Sequence, residues 1–226
     1  MAQSLAYNAR GNGTPGYYDR AGRADMNTRL EMLGTAAAGI AHDINNQLTL
    51  ILNYIETTDL EGARKAASRC TALTAGLLSY SRGEALVLEA LDVGKFVSEF
   101  AAQLTLPPGV LLTIDLKPSL PPIQADPIAL HRVLTNLVSN ACDAMKNQGA
   151  LRITASAGTI EVSDSGPGVA PADRKRIFEP FVSTKGSNGT GLGLAIVREI
   201  MQQHRGSVVV DSAPGEGAKF TLRFGV

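Results

Sequence analysis

The sequence contains no tryptophan, and aromatic residues make up only 5% of it. Platforms that bind nucleic acid by stacking bases are built on aromatic rings, so that class of partner is not expected. An excess of charge of one sign is missing too. Lys and Arg together number 21, Asp and Glu also 21, and the formal net charge is zero. Without a dense basic run there is no electrostatic footprint for a polyphosphate backbone. Cysteine is scarce: Cys70 and Cys142 lie far apart within apolar helical patterns, with no metal-ligand spacing. Buried free thiols in a reducing compartment are the expectation. No apolar run approaches the roughly 18 residues that cross a bilayer, and residues 1–10 lack the apolar centre of a signal peptide. The chain therefore reads as cytoplasmic and without a membrane segment, as a piece of a membrane-anchored sensor also would.

What is present points to two ordered parts. Hydrophobic residues are 44% and charged ones 19% of the 226 residues, enough for packed cores. Residues 1–25 are polar and glycine-rich and read as a flexible tail. From Met26 the pattern becomes helical. Leu30, Leu33, Ala37, Ile40, Ile44, Leu48, Ile51 and Ile55 recur by threes and fours. Thr57-Thr58-Asp59 breaks the run. A second helix then carries Leu60, Ala63, Ala67, Cys70, Leu73 or Thr74, and Leu77, and stops near Gly83. Two helices joined so closely form an antiparallel hairpin. A lone hairpin leaves its apolar seam wet, and two of them pairing into a four-helix bundle would bury it. The expectation for 26–83 is thus a homodimer.

Residues 84–226 alternate strands and helices. Strands are expected at Val110–Leu116, Ala150–Ser156, Thr159–Ser163, Ser207–Asp211 and Ala218–Phe224. Helices are expected at Val93–Leu104, Pro127–Lys146, Ala172–Phe178 and Leu192–Gln203. Strand pairs close in sequence suggest a mixed sheet with helices on one face, an α+β arrangement.

Five segments carry chemistry. In Ala-Gly-Ile-Ala-His-Asp-Ile-Asn-Asn, with Ile40 and Ile44 facing the seam, His42 points outward and is open to a nucleophilic encounter. Asp43 can hold the second ring N–H, and Asn46 lies one turn on. A solvated surface histidine is the competing reading. In the helix beginning near Pro127, Asn136, Asn140 and Asp143 share one stripe and offer oxygen ligands suited to a hydrated Mg²⁺, or simply a polar helix face. Asp164-Ser165-Gly166-Pro167-Gly168 follows a strand. An Asp there can accept a hydrogen bond from an exocyclic amine while Gly166 and Gly168 let backbone approach a flat ring. Ile177-Phe178-Glu179-Pro180-Phe181 would brace the base of a lid. Gly189-Thr190-Gly191-Leu192-Gly193 opens a helix whose exposed N–H groups favour phosphate. It follows no strand, so it is not a dinucleotide fingerprint.

Each segment alone is ambiguous, but the last four in this order are highly specific. They resemble the N box, first glycine box, F box and second glycine box of the ATPase superfamily shared by gyrase, heat-shock chaperones, mismatch-repair proteins and histidine kinases. The His-Asp-Ile-Asn-Asn segment resembles the phosphoacceptor helix of two-component histidine kinases, in the form of the subgroup that includes nitrogen-regulation kinases. The resemblance covers about residues 29–226 and implies a Bergerat-type α/β sandwich binding ATP and Mg²⁺. It makes His42 the phosphoacceptor, Asp43 its assisting acid and Asn46 the residue orienting water in dephosphorylation of the partner. Asn140, helped by Asn136, becomes the Mg²⁺ ligand, with Asp143 near the phosphates. Asp164 reads adenine, Gly189, Thr190, Gly191, Leu192 and Gly193 surround phosphate, and Lys185 reaches the γ-phosphate. The implied partner is the receiver domain of a separate response regulator. A phosphotransfer scaffold without ATP turnover and a non-kinase ATPase remain the alternatives. The lid is short, Ala218 stands where the family often has Thr, and His42 lies only about 22 Å of helix before Thr57.

Overall fold

A computed structural model describes residues 41, 42, 44–64, 66, 67, 70, 71, 74, 86–183 and 191–225. The expected tail, the seam before residue 41, Asp43, the end of the hairpin and Lys185, Gly189 and Thr190 lie outside them.

Helix α1 runs over 44–56, continuing the helical residues 41 and 42, and α2 begins at residue 60. The turn between them is a Schellman closure. Asp59 N–H donates to Tyr54 C=O (2.7 Å) and Thr58 N–H to Ile55 C=O (3.1 Å), satisfying carbonyls that a helix end leaves open. Asp59 then caps α2 by accepting the Gly62 N–H (2.9 Å), as N-cap carboxylates do. The antiparallel return brings the Cys70 thiol to 3.9 Å from the Ile44 carbonyl. The inner face differs from the expected seam in detail. Gln47 and Ala66 are buried and Ile44, Ile51, Tyr54 and Ala63 are half-buried, while Ala67 is exposed. Leu48, Leu52, Ile55 and Leu60 are exposed as well, because one turn of a hairpin can face its own partner helix with only one stripe.

The closure requires a left-handed residue, and Thr58 takes it with φ 61°. A β-branched side chain is strained there. Thr58→Gly is expected to raise stability by about 0.5–1 kcal/mol, because relief of strain exceeds the entropy glycine adds to the unfolded chain. An increased midpoint in urea unfolding checks this, and a decreased one rejects it.

The rest of the described chain is α+β. In order come β1 (Glu89–Leu91), α3 (Val93–Gln103), β2 (Gly109–Leu116), β3 (Ile123–Ala125), α4 (Pro127–Ala144), β4 (Gln148–Ser156), β5 (Thr159–Asp164), α5 (Gly193–Gln203), β6 (Ser207–Ser212) and β7 (Ala218–Arg223). Five strands form a mixed sheet ordered β2-β4-β5-β7-β6. Only β2 and β4 run parallel, and α4 lies between them in sequence, since a parallel return needs a long crossover. Alternation along the strands turns Leu151, Ile153, Ile160 and Val162 toward the helices. These meet Val97 of α3, Leu130, Leu134 and Leu137 of α4, and Val197 and Met201 of α5 in one core. Full burial of such side chains is worth about 1.5–3 kcal/mol each. Cys142 is buried there as a free thiol, and burial, with Asp143 beside it, pushes the thiol up and keeps it unreactive.

Two expectations are corrected. The helix expected at Ala172–Phe178 is a series of turns ending in a single 3₁₀ turn, Arg176–Phe178. Only Ile177 and Phe178 are buried, too few anchors to hold a longer helix against the sheet. The small antiparallel pair β1–β3 was not expected, because three residues are too short for a periodic signal.

Candidate functional site

Strand alternation decides the setting of Asp164. It closes β5 in phase with Ile160 and Val162, so its carboxylate belongs to the core-facing side of the sheet. Burial pushes its carboxyl above the ordinary carboxylate range, opposed by backbone bonds from Gly166 and Ala218. The Gly166 N–H lies 2.8 Å from Oδ1. The β6–β7 turn is folded over this corner. Gly217 has φ 75°, and a Cβ there would collide with the Asp164 carbonyl, so only glycine fits. Ala218, the departure from the family pattern, contributes its backbone N–H to the carboxylate, which a change of side chain leaves intact.

Helix α4 carries the amides. Its capping residue Asp126 accepts from Ile128 and Ala129, with Pro127 in the first turn. Asn136 and Asn140 lie half-buried on one face. A Cβ built on Gly193, at the start of α5, would stand 3.4 Å from Asn136 Oδ1 and 3.5 Å from Asn140 Nδ2. At the other end of the same stripe, a Cβ on Gly166 would stand 3.3 Å from Ala144 Cβ and 2.8 Å from Asp164 Oδ1. Positions 136, 140 and 144 thus mark a line about 12 Å long, with a helix N-terminus at one end and a desolvated carboxylate at the other. Asp143 is exposed on this helix.

The described residues on either side of the expected lid are joined by a backbone bond from the Phe181 N–H to the Gly191 C=O (2.9 Å). Both residues are left-handed, with φ 65° and 64°. A Cβ on Gly191 would run into the Phe181 backbone. Phe178 is buried edge-on against Phe220, with centroids 6.3 Å apart. Phe178 thus packs in the core; most of the lid it was expected to brace lies outside the described residues. Leu192, beside Gly191, is buried in the core, so its side chain anchors the chain at the entrance to α5.

Residues 125–226 match the family described as Histidine kinase-, DNA gyrase B-, and HSP90-like ATPase. This part of the chain is similar to that family over its whole length. The mixed sheet with its helical layer is accordingly the Bergerat ATPase fold, as the sequence resemblance implies. Sensor histidine kinase ZraS of Escherichia coli O157:H7 is 37% identical over 213 residues, covering 86% of this chain and 46% of ZraS. The chain spans about half the length of the curated relatives it matches. Among solved structures, full-length ShkA in complex with AMPPNP is 26% identical with a TM-score of 0.63, covering 92% of this chain and 46% of ShkA. Histidine kinase ThkA, solved in complex with response regulator protein TrrA, has a TM-score of 0.76 at 23% identity, covering 94% of this chain and 67% of that one. It shares the fold. ZraS and ThkA are histidine kinases, and the likeness to them covers most of this chain.

In the hairpin that precedes this ATPase domain, His42 and Asn46 are exposed in the helix. The other histidines are placed differently. His131 is exposed and edge-on to Phe100, with centroids 5.1 Å apart. His204 is buried with both ring nitrogens in hydrogen bonds. Sequence reading missed Ser212. Its buried hydroxyl accepts from the Val169 N–H (2.7 Å) and donates to the Gly217 C=O (2.6 Å), pinning the first glycine turn of the ATPase domain to the β6–β7 turn. A serine 43 positions from its partner leaves no local pattern to find. No helix among the described residues is long and apolar enough to cross a membrane.

Proposed function

We propose that the chain is the core of an ATP-dependent protein histidine autokinase. The reading assigns residues 26–83 to a dimerising, phosphoaccepting hairpin and 84–226 to the catalytic domain, with 1–25 as a tail. The carrying observation is the line along α4. A nucleotide laid along it meets Asp164 with its base and the start of α5 with its phosphates. Asp164 accepts the exocyclic amine, and Gly166 and Gly168 admit the ring. Gly189, Thr190, Gly191, Leu192 and Gly193 form the phosphate loop, and Lys185 meets the terminal phosphate. His42 Nε2 attacks the γ-phosphorus with Asp43 holding the other ring nitrogen, and ADP leaves.

Among the described residues no group of three His, Cys, Asp or Glu is gathered to hold a metal ion. The amide oxygens of Asn140 and Asn136 fit Mg²⁺, a cation that keeps water and phosphate oxygen among its ligands. Asp143 acts on the phosphates through water. Mg²⁺ would supply charge neutralisation at the β- and γ-phosphates.

The exposed apolar residues Leu48, Leu52, Ile55 and Leu60 support a homodimer in which a second hairpin completes a four-helix bundle. The phosphoryl group then passes to an aspartate on a separate response regulator receiver domain. Asn46, one exposed turn from His42, orients water for the reverse, dephosphorylating activity. The His-Asp-Ile-Asn-Asn form supports a reading of the chain as nitrogen-regulation-kinase-like and cytoplasmic. Incubation with γ-³²P-ATP and Mg²⁺ is expected to give label on the protein that is acid-labile and base-stable. Hydroxylamine-sensitive label, the mark of an acyl phosphate, would reject the reading.

A further inference from the structure

Asp126 lies where three stretches of chain meet. Its Oδ1 accepts the N–H groups of Ile128 (2.9 Å) and Ala129 (3.0 Å) and caps α4. Its Oδ2 accepts the N–H of Val87 (2.9 Å), 39 residues earlier in the sequence. Its own N–H donates to Nε2 of His204 (3.0 Å). Because Nε2 must accept there, the ring proton sits on Nδ1, which donates to the Ile200 carbonyl at 2.8 Å. His204 is the C-cap of α5 and is buried. One residue therefore joins the segment entering the ATPase domain to the first turn of α4 and the last turn of α5. These are the two helices whose other parts form the nucleotide line.

An ordinary N-cap needs only one side-chain oxygen, and Ser or Thr would serve. Here the second oxygen holds a distant segment. That segment continues as β1, laddered to β3 with Glu89 opposite Ala125 and Leu91 opposite Ile123. The Asp126–Val87 bond extends the ladder by one more tie. The Val87 side chain is 73% exposed, so its N–H, and not side-chain burial, attaches it. Burial alone would push the Asp126 carboxyl up. Bonds from Ala129, Val87 and Ile128 outweigh that and hold it below the ordinary range, as expected of an anchored carboxylate.

We propose that Asp126 is a positioning residue that latches Val87–Leu91 onto the nucleotide-binding helices and thereby sets how far the ATPase domain ranges from His42. This rests on the reading of His42 as phosphoacceptor. Transfer between tethered sites depends on effective concentration, which falls roughly as the −3/2 power of free tether length. Unlatching lets β1 fray from its free end, and release of all of residues 87–91 would add up to about 16 Å of reach.

Asp126→Asn separates latch from cap. The amide oxygen still caps α4, whereas the amide N–H₂ opposes the Val87 N–H, donor against donor. Val87→Pro removes the donor and leaves Asp126 untouched. In the full chain, both variants are expected to show faster amide exchange across 88–91, nucleotide affinity within about twofold of wild type, and labelling of His42 slowed roughly threefold. Exchange and labelling both at wild-type values would overturn the latch, as would nucleotide affinity lost in proportion to labelling, which would mark a merely structural role. If the wild-type protein takes no label, the kinase reading falls. Unchanged exchange at 88–91 would then still overturn the latch, and faster exchange would uphold the attachment.

Discussion

His42→Gln is expected to reduce ³²P incorporation from γ-labelled ATP to background while leaving ATP affinity within about twofold of wild type. A glutamine amide cannot take the phosphoryl group. The residue is exposed on the helix and makes none of the contacts around Asp164, Asn136 or Asn140 described above. Of the other two histidines, His204 has both ring nitrogens engaged inside the protein and cannot reach a phosphate. His131 is exposed, so acid-labile label remaining in the variant would point to it and displace His42 from its assigned role. Loss of ATP affinity together with label would show that the hairpin takes part in nucleotide binding. Filter binding and acid-stability of the label read the two outcomes separately.

Asp164→Asn is expected to weaken nucleotide binding by about 100-fold, equivalent to about 3 kcal/mol. Asn places an N–H₂ group against one of the N–H donors that face the carboxylate, those of Gly166, Ala218 and the proposed exocyclic amine, in a half-buried corner. Acid should act in the same direction on the wild-type protein. Burial holds the Asp164 carboxyl above its ordinary range, so affinity falls as pH drops through that raised pKa, at a higher pH than an exposed aspartate would give. The stability contribution of this group has the opposite sign. Its folded pKa exceeds its unfolded one, so the native state binds the extra proton in the window between them, and stability decreases as pH rises through that window. Titration calorimetry between about pH 4 and 7 checks the binding half. Affinity independent of pH there, with Asp164→Asn binding normally, would remove Asp164 from the base site.

Much of the fold was legible in the sequence. Spacing by three and four marked α1 and α4, and short strand-like runs marked the five long strands to within two residues. These signals survive because they come from local stereochemistry and from the need to bury one face of each element. Short elements failed for the same reason. Glu89–Leu91 and Ile123–Ala125 have no periodicity to detect, and Ala172–Phe178 had helix formers but too few buried anchors.

The sequence by itself determined which residue types are available and in what order: an outward histidine, a stripe of amides on one helix, an aspartate at a strand end and glycines before a helix. Which of them lie side by side was decided by the tertiary structure, which brings the amides, the aspartate and the glycines along one helix. Gly193 reaches Asn136 and Asn140 because α5 packs beside α4, and Gly166 reaches Ala144 because the end of β5 lies against α4. Ser212 pins Val169 and Asp126 gathers Val87 and His204 across separations at which sequence carries no signal. Hydrogen bonds of that kind form once hydrophobic burial has brought the segments together, and no local propensity foretells them.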